Sequence, residues 1–159
     1  MTIPTADLVD RHADRVRSCE TPLRSYGGAT SFHGPIRTVV TMEDNALVRE
    51  VLSTPGEGAV LVIDGGGSLR CALVGDLIAG LAVEHRWSGL IINAAVRDVA
   101  ALRALPIGIK ALGSNPVKSA KQRIGAVDVP VAFGGVLWVP GAHCYADEDG
   151  ILVSATALE

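Results

Sequence analysis

The chain has 159 residues, enough for one domain with a sizeable core, and 48% of them are hydrophobic against 19% charged. That apolar balance predicts surface shared between subunits of a homo-oligomer. The net charge of -3 excludes the basic footprint of a direct nucleic-acid binder, and no apolar run approaches the ~20 residues that span a bilayer.

The N-terminus carries Asp7, Asp10 and Asp14 rather than a signal-peptide pattern. The cysteines Cys19, Cys71 and Cys144 are far apart and odd in number, so a cytoplasmic protein with reduced thiols is expected.

Thr5 is the predicted N-cap of a first helix running from Ala6 to about Arg17, with Leu8, Val9, His12 and Val16 on one side. His12 reads as a boundary residue rather than a ligand. Gly27-Gly28 and Gly34-Pro35 predict turns leading into a strand over Ile36-Arg37-Thr38-Val39-Val40. Thr41-Met42-Glu43-Asp44-Asn45 then opens a helix whose apolar residues are Leu47, Val48, Val51 and Leu52, ended by Pro55-Gly56.

Ala59-Val60-Leu61-Val62-Ile63 is a continuous apolar run, as expected of a strand buried on both faces. It enters a Gly-rich loop, Asp64-Gly65-Gly66-Gly67-Ser68, that invites a phosphate-cradle reading. The dinucleotide fingerprint fails there because its third Gly position holds Arg70. Cys71-Ala72-Leu73-Val74 reads as a short strand rather than a helix, which leaves the loop as a tight turn.

The stretch from Gly75 to Asp98 has room for about three helical turns, a short turn and one buried strand. Asp98 is the predicted cap of a short helix to about Leu105, stopped by Pro106. Ile107 to Leu112 alternates like a strand. Gly113 to Ser119 lacks the Gly before Lys118 that a phosphate loop requires, and Lys118 to Arg123 reads as a solvated charge cluster. From residue 127 onward strands and turns alternate, with Asp147-Glu148-Asp149-Gly150 a hairpin turn too short for a calcium loop. The pattern predicts an α/β fold in a single compact domain, 1–159, with a mixed sheet.

Asp76, twenty residues, then Arg97-Asp98 is the constellation that carries chemistry. A helix start after Gly75 turns unpaired N–H groups outward, which suits an anion. A strand end in Arg-Asp delivers one permanent cation and one carboxylate to a crevice of the kind where α/β sheets bind ligands. A structural ion pair or a helix cap remains the competing account of the same residues.

With Glu43-Asp44-Asn45, Val60 to Asp64, Gly75-Asp76-Leu77, Asn115-Pro116 and Pro140-Gly141, this constellation resembles the regulator of ribonuclease activity A family. Its relatives include the 4-hydroxy-4-methyl-2-oxoglutarate aldolases, and some members carried a menaquinone-pathway methyltransferase label that the failed Gly fingerprint does not support. The resemblance implies a swivelling β/β/α domain assembled as a homotrimer, with a divalent cation (magnesium or manganese) and a 2-oxo acid substrate. It implies that Asp98 binds the metal directly and Asp76 through water. It further implies that Arg97 clamps the substrate, whose carboxylate the N–H groups of Gly75, Asp76, Leu77 and Ile78 receive.

Aldolases of the family carry a longer C-terminal segment that brings a carboxylate to the neighbouring site. This sequence ends at Glu159, so oxaloacetate decarboxylation is expected ahead of aldol cleavage, whose general base is not evident. The second function implied is a regulator that docks on and inhibits ribonuclease E without catalysis.

Overall fold

The computed structural model describes residues 3–158. Helix α1 (Thr5–His12) precedes strands β1 (Val16–Ser18) and β2 (Arg24–Ser25). Strands and helices then alternate as β3 (Phe32–Val40), α2 (Ala46–Leu52), β4 (Val60–Asp64), β5 (Ala72–Val74) and α3 (Asp76–Glu84). β6 (Gly89–Val96), α4 (Val99–Leu102) and β7 (Gly108–Ser114) follow. The remainder is strand and turn: β8 (Ala126–Val127), β9 (Val131–Phe133), β10 (Val136–Trp138), β11 (His143–Ala146) and β12 (Ile151–Ser154).

The main sheet runs β1-β12-β11-β3-β4-β6-β7-β2, with β5 added to β6 and β8 to β3. Its centre, β3-β4-β6-β7, is parallel, and both flanks are antiparallel. The mixed α/β fold is therefore the one expected. The continuous apolar runs follow from burial on both faces. Leu61, Ile63, Leu90 and Ile92 pack beneath α2 and α3, whereas Val60, Val62 and Ile91 pack against Val131, Val136 and Trp138 of the β9–β10 hairpin. Helix layer, sheet and hairpin layer give the β/β/α stacking.

Three local expectations are corrected. The first helix stops at His12 rather than Arg17, because Val16 to Ser18 pair with β12 instead, Val16 opposite Ser154. Thr5 is the first helical residue, not the cap; Pro4 holds that position. The Asp147 carboxylate accepts both the Thr5 N–H and the Thr5 hydroxyl at 2.7 Å, so the acidic run at the β11–β12 turn caps the helix from a distance. β3 begins at Phe32, through the predicted Gly34-Pro35 turn. It pairs with β11 over Phe32 to Pro35 and with β4 only from Ile36 onward, so the missing N–H of Pro35 costs no parallel ladder bond. Among the described residues no helix is long and apolar enough to cross a membrane.

Candidate functional site

The site lies at the C-terminal ends of β5 and β6, where parallel sheets open toward ligands. The Arg97 N–H donates to Val74 O at 3.0 Å, which ties the end of β6 to the end of β5 one residue before α3 begins. Asp98 then adopts the left-handed conformation, φ 57° and ψ 43°, and turns the chain back on itself. That backbone is sparsely populated for a residue with a Cβ, and Asp is among those that tolerate it.

The turn sends the Asp98 carboxylate to the start of α3, where its Oδ2 accepts the Asp76 N–H at 3.0 Å. The predicted cap role is corrected in consequence. Asp98 stands at the N-cap position of α4 but makes no side-chain bond to that four-residue helix, and its carboxylate serves α3. Gly75 permits the approach, because a Cβ there would lie 2.5 Å from Asp98 Oδ2 and 3.3 Å from Arg97 Cγ.

The Asp76 N–H bond is the main reason the Asp98 carboxyl lies below its ordinary 3.8; burial opposes the shift, while the Asp76 side chain and Arg97 add to it. Asp98 is thus ionised at neutral pH beside a second carboxyl group. Two such groups repel unless a proton or a cation lies between them. Among the described residues no cluster of three or more His, Cys, Asp or Glu is arranged to hold a metal. A cation here would rely on these two carboxylates together with water or ligand oxygens, a donor set that suits magnesium or manganese.

All six residues singled out from the sequence line one crevice of about 80 Å³: Gly75, Asp76, Leu77, Ile78, Arg97 and Asp98. The N–H groups of Leu77 and Ile78, in the first turn of α3, find no protein acceptor among the described residues. Asn45, Arg49, Lys118, Ser119 and Lys121 complete the wall. With Arg49, Arg97, Lys118 and Lys121 against Asp76 and Asp98, the lining carries more cations than carboxylates.

Lys118, Lys121 and Arg123 are all exposed, as the reading of a solvated cluster expects, and Lys118 and Lys121 also line the crevice. Arg123 turns away to pair with Glu50 at 2.8 and 2.9 Å on the surface. Asn45 entered the sequence reading only within the Glu43-Asp44-Asn45 motif, and Arg49 carried no signal beyond its place on a short helix.

The Gly-rich loop after β4 is the tight turn expected. Gly65 and Gly67 donate to Asn93 O at 3.2 and 3.0 Å, and Gly66 donates to Asp64 Oδ1 at 3.0 Å. Gly66 and Gly67 take positive φ, 66° and 75°. With those N–H groups bonded internally, the loop is no phosphate cradle.

A family model described as RraA-like, Aldolase/RraA, matches residues 5–153. The chain belongs to the RraA-like family. It is 45% identical to the RNA-processing inhibitor RraA of Thermus thermophilis, with a TM-score of 0.96 over 100% of this chain and 96% of that one. A Geobacillus kaustophilus protein described as S-adenosylmethionine:2-dimethylmenaquinone methyltransferase is 51% identical, with a TM-score of 0.97 over 98% of this chain and 97% of that chain. A Streptomyces coelicolor member of the RNase ES inhibitor RraA family is 29% identical, with a TM-score of 0.78 over 96% of this chain and 80% of that one. For this RraA-like chain the methyltransferase name of that relative draws no support from the Gly-rich loop.

Proposed function

We propose that this RraA-like protein is a divalent-metal-dependent 2-oxo acid lyase that acts through the enolate of pyruvate, with oxaloacetate as substrate. The observation that carries the reading is the Asp98 carboxylate held on the first turn of α3 with Arg97 beside it, inside a crevice whose other wall is cationic. Magnesium or manganese would be held by Asp98 directly and by Asp76 through water, and when bound supplies Lewis-acid stabilisation of developing negative charge.

The residues do the rest. The N–H groups of Leu77 and Ile78 receive the substrate's C1 carboxylate, as helix N-termini favour anions. Arg97 donates to the oxygen on which charge accumulates, a preorganised contact of the kind typically worth about 3–4 kcal/mol. Lys118 and Lys121 favour a second anionic group on the same substrate. The bond between C3 and the leaving carboxylate breaks, its electron pair passes into the enolate, carbon dioxide departs, and a proton from solvent returns to C3. Cleavage of 4-hydroxy-4-methyl-2-oxoglutarate yields the same enolate but first requires a base to remove the hydroxyl proton.

Purified protein should release pyruvate from oxaloacetate, lose that activity with a chelator and regain it with magnesium or manganese. Failure of the metal-restored protein to exceed the metal-only rate refutes the lyase reading.

A second reading, a protein-binding inhibitor of ribonuclease E, is favoured by the names of the Thermus and Streptomyces relatives. The two are separable. Asp98→Asn should abolish lyase activity and spare any inhibition of ribonuclease E, and loss of both in a folded protein would mean one site serves both.

A further inference from the structure

One wall of the crevice is a segment with almost no sheet pairing. Residues 118–124 are joined to the fold by single bridges, Lys118 to Ala72 and Ala120 to Asp44. A segment without ladder bonds keeps its place through the few groups it does bond, and it opens readily when they are lost. Two of those bonds, from the Gln122 and Arg123 N–H groups, go to the Asp44 carboxylate, and the Arg123 guanidinium adds an exposed pair to Glu50.

The Asp44 side chain is only 1% exposed. Its Oδ1 accepts the Ala46 and Arg123 N–H groups at 3.1 Å each, and its Oδ2 accepts the Gln122 N–H. The flanking main chain repeats the link, with Asn45 N–H to Ala120 O at 3.1 Å and Ala120 N–H to Glu43 O at 3.0 Å. The Thr41 hydroxyl donates to Ile124 O at 2.8 Å.

Arg123 takes φ 62°, left-handed backbone that persists only where the surroundings over-determine it. Burial opposes the Asp44 charge, but the N–H groups of Gln122, Ala46, Arg123 and Ile124 outweigh it and hold the carboxyl below its ordinary 3.8. An ionised carboxylate is acceptor-only and satisfies all these donors; an amide would turn an NH₂ against one of them.

We propose that Asp44 is the positioning residue for Lys118 and Lys121: by receiving the Gln122 and Arg123 amides it fixes the lysine-bearing segment on the start of α2 and keeps both lysines on the wall of the crevice. Asp44 touches no substrate and acts through the lysines. The inference rests on the reading of the crevice as an anion site, and its test does not require turnover.

The probe is oxalate, a planar dianion like the enolate of pyruvate, titrated calorimetrically with magnesium present. The proteins compared are the parent protein, Asp44→Asn, Lys121→Ala and the double variant. Asp44→Asn should weaken oxalate binding by about tenfold, as loss of a supporting partner commonly does. It should also speed hydrogen exchange at the Gln122 and Arg123 amides while β6 amides stay protected. In the Lys121→Ala background the same change should cost far less, because residues that act through one another are not additive.

Unchanged affinity in Asp44→Asn, full additivity with Lys121→Ala, or failure of the parent protein to bind oxalate overturns the proposal. Should Asp44→Asn not fold, Asp44→Glu, which keeps the charge but displaces it by one methylene, carries the same expectation of weakened oxalate binding. Oxaloacetate turnover is read separately, so a parent protein that binds oxalate without turning over oxaloacetate refutes the lyase reading while the variant affinities still decide the role of Asp44.

Discussion

Gly75→Ala adds a single methyl group where the site has no room for one. Its Cβ would lie 2.5 Å from Asp98 Oδ2, against about 3.4 Å for ordinary contact, so the carboxylate must retreat by roughly 1 Å. The bond from the Asp76 N–H, 3.0 Å in the parent protein, would then stretch to about 4 Å, beyond hydrogen-bond range. A hydrogen bond to a charged acceptor is worth about 1.5–3 kcal/mol, and Gly75 itself, at φ -124°, occupies backbone that alanine accepts without strain. The expected cost is therefore steric and local: a melting temperature lower by several degrees at about 2–4 °C per kcal/mol. Displacement of a catalytic carboxylate by 1 Å should cost turnover about a hundredfold. Pyruvate release from oxaloacetate, coupled to lactate dehydrogenase and read across a magnesium titration, measures both rate and metal affinity. Gly75→Ala with the parent protein's magnesium affinity and turnover would refute the placement of Asp98 at the centre of the chemistry.

Arg97→Lys should reduce kcat/KM by at least tenfold although charge is kept, because the planar two-pronged contact is lost; near-normal turnover refutes the clamp. Asp98→Asn should weaken magnesium or manganese binding more than Asp76→Asn, and an Asp76→Asn that lowers stability while leaving metal affinity and turnover untouched reduces Asp76 to a helix start. Asp147→Asn should cost about 1 kcal/mol at neutral pH, as loss of a helix cap does. Burial opposes the Asp147 charge, but the Thr5 N–H and hydroxyl with the Asp149 and Gly150 amides hold its carboxyl below 3.8. The stabilisation it supplies is full above 3.8 and lost as pH falls through the lower folded value. Denaturation of parent and variant should therefore converge in acid, and a gap that persists there contradicts the assignment. Sedimentation should show three chains together, as the family resemblance implies, and a monomer at micromolar concentration refutes it.

The sequence made the centre of the fold legible because burial on both faces leaves an unbroken apolar run. β4 and β6 are such runs, and α2 buries the four apolar residues, Leu47, Val48, Val51 and Leu52, that its periodicity marks. Legibility failed where pairing overrides local preference. Val16 fits the helical spacing of Leu8 and His12, yet its place is opposite Ser154. β2 and β8 are two-residue strands with no pattern to read. Asp76, Arg97 and Asp98 line one crevice, as the spacing and the family resemblance together led one to expect, although the spacing alone left an ion pair or a helix cap equally open. Lys118 and Lys121 are as solvated as their charge run suggests, but their place on the crevice wall was not legible, because they reach it on an irregular segment that bonds a carboxylate 78 residues earlier in the chain, Asp44 accepting from Gln122.

The left-handed backbone at Asp98 also limits what evolution or an experimenter can place there. A residue in that conformation pays roughly 1–2 kcal/mol for its Cβ, from which glycine is exempt and which asparagine and aspartate partly recover through local hydrogen bonding. Alanine would combine this backbone cost with loss of the carboxylate, so its effect would confound folding with chemistry. Asparagine separates the two. A lineage that no longer needed the carboxylate would find Asn and Gly the cheap exits, and Val or Ile the closed ones.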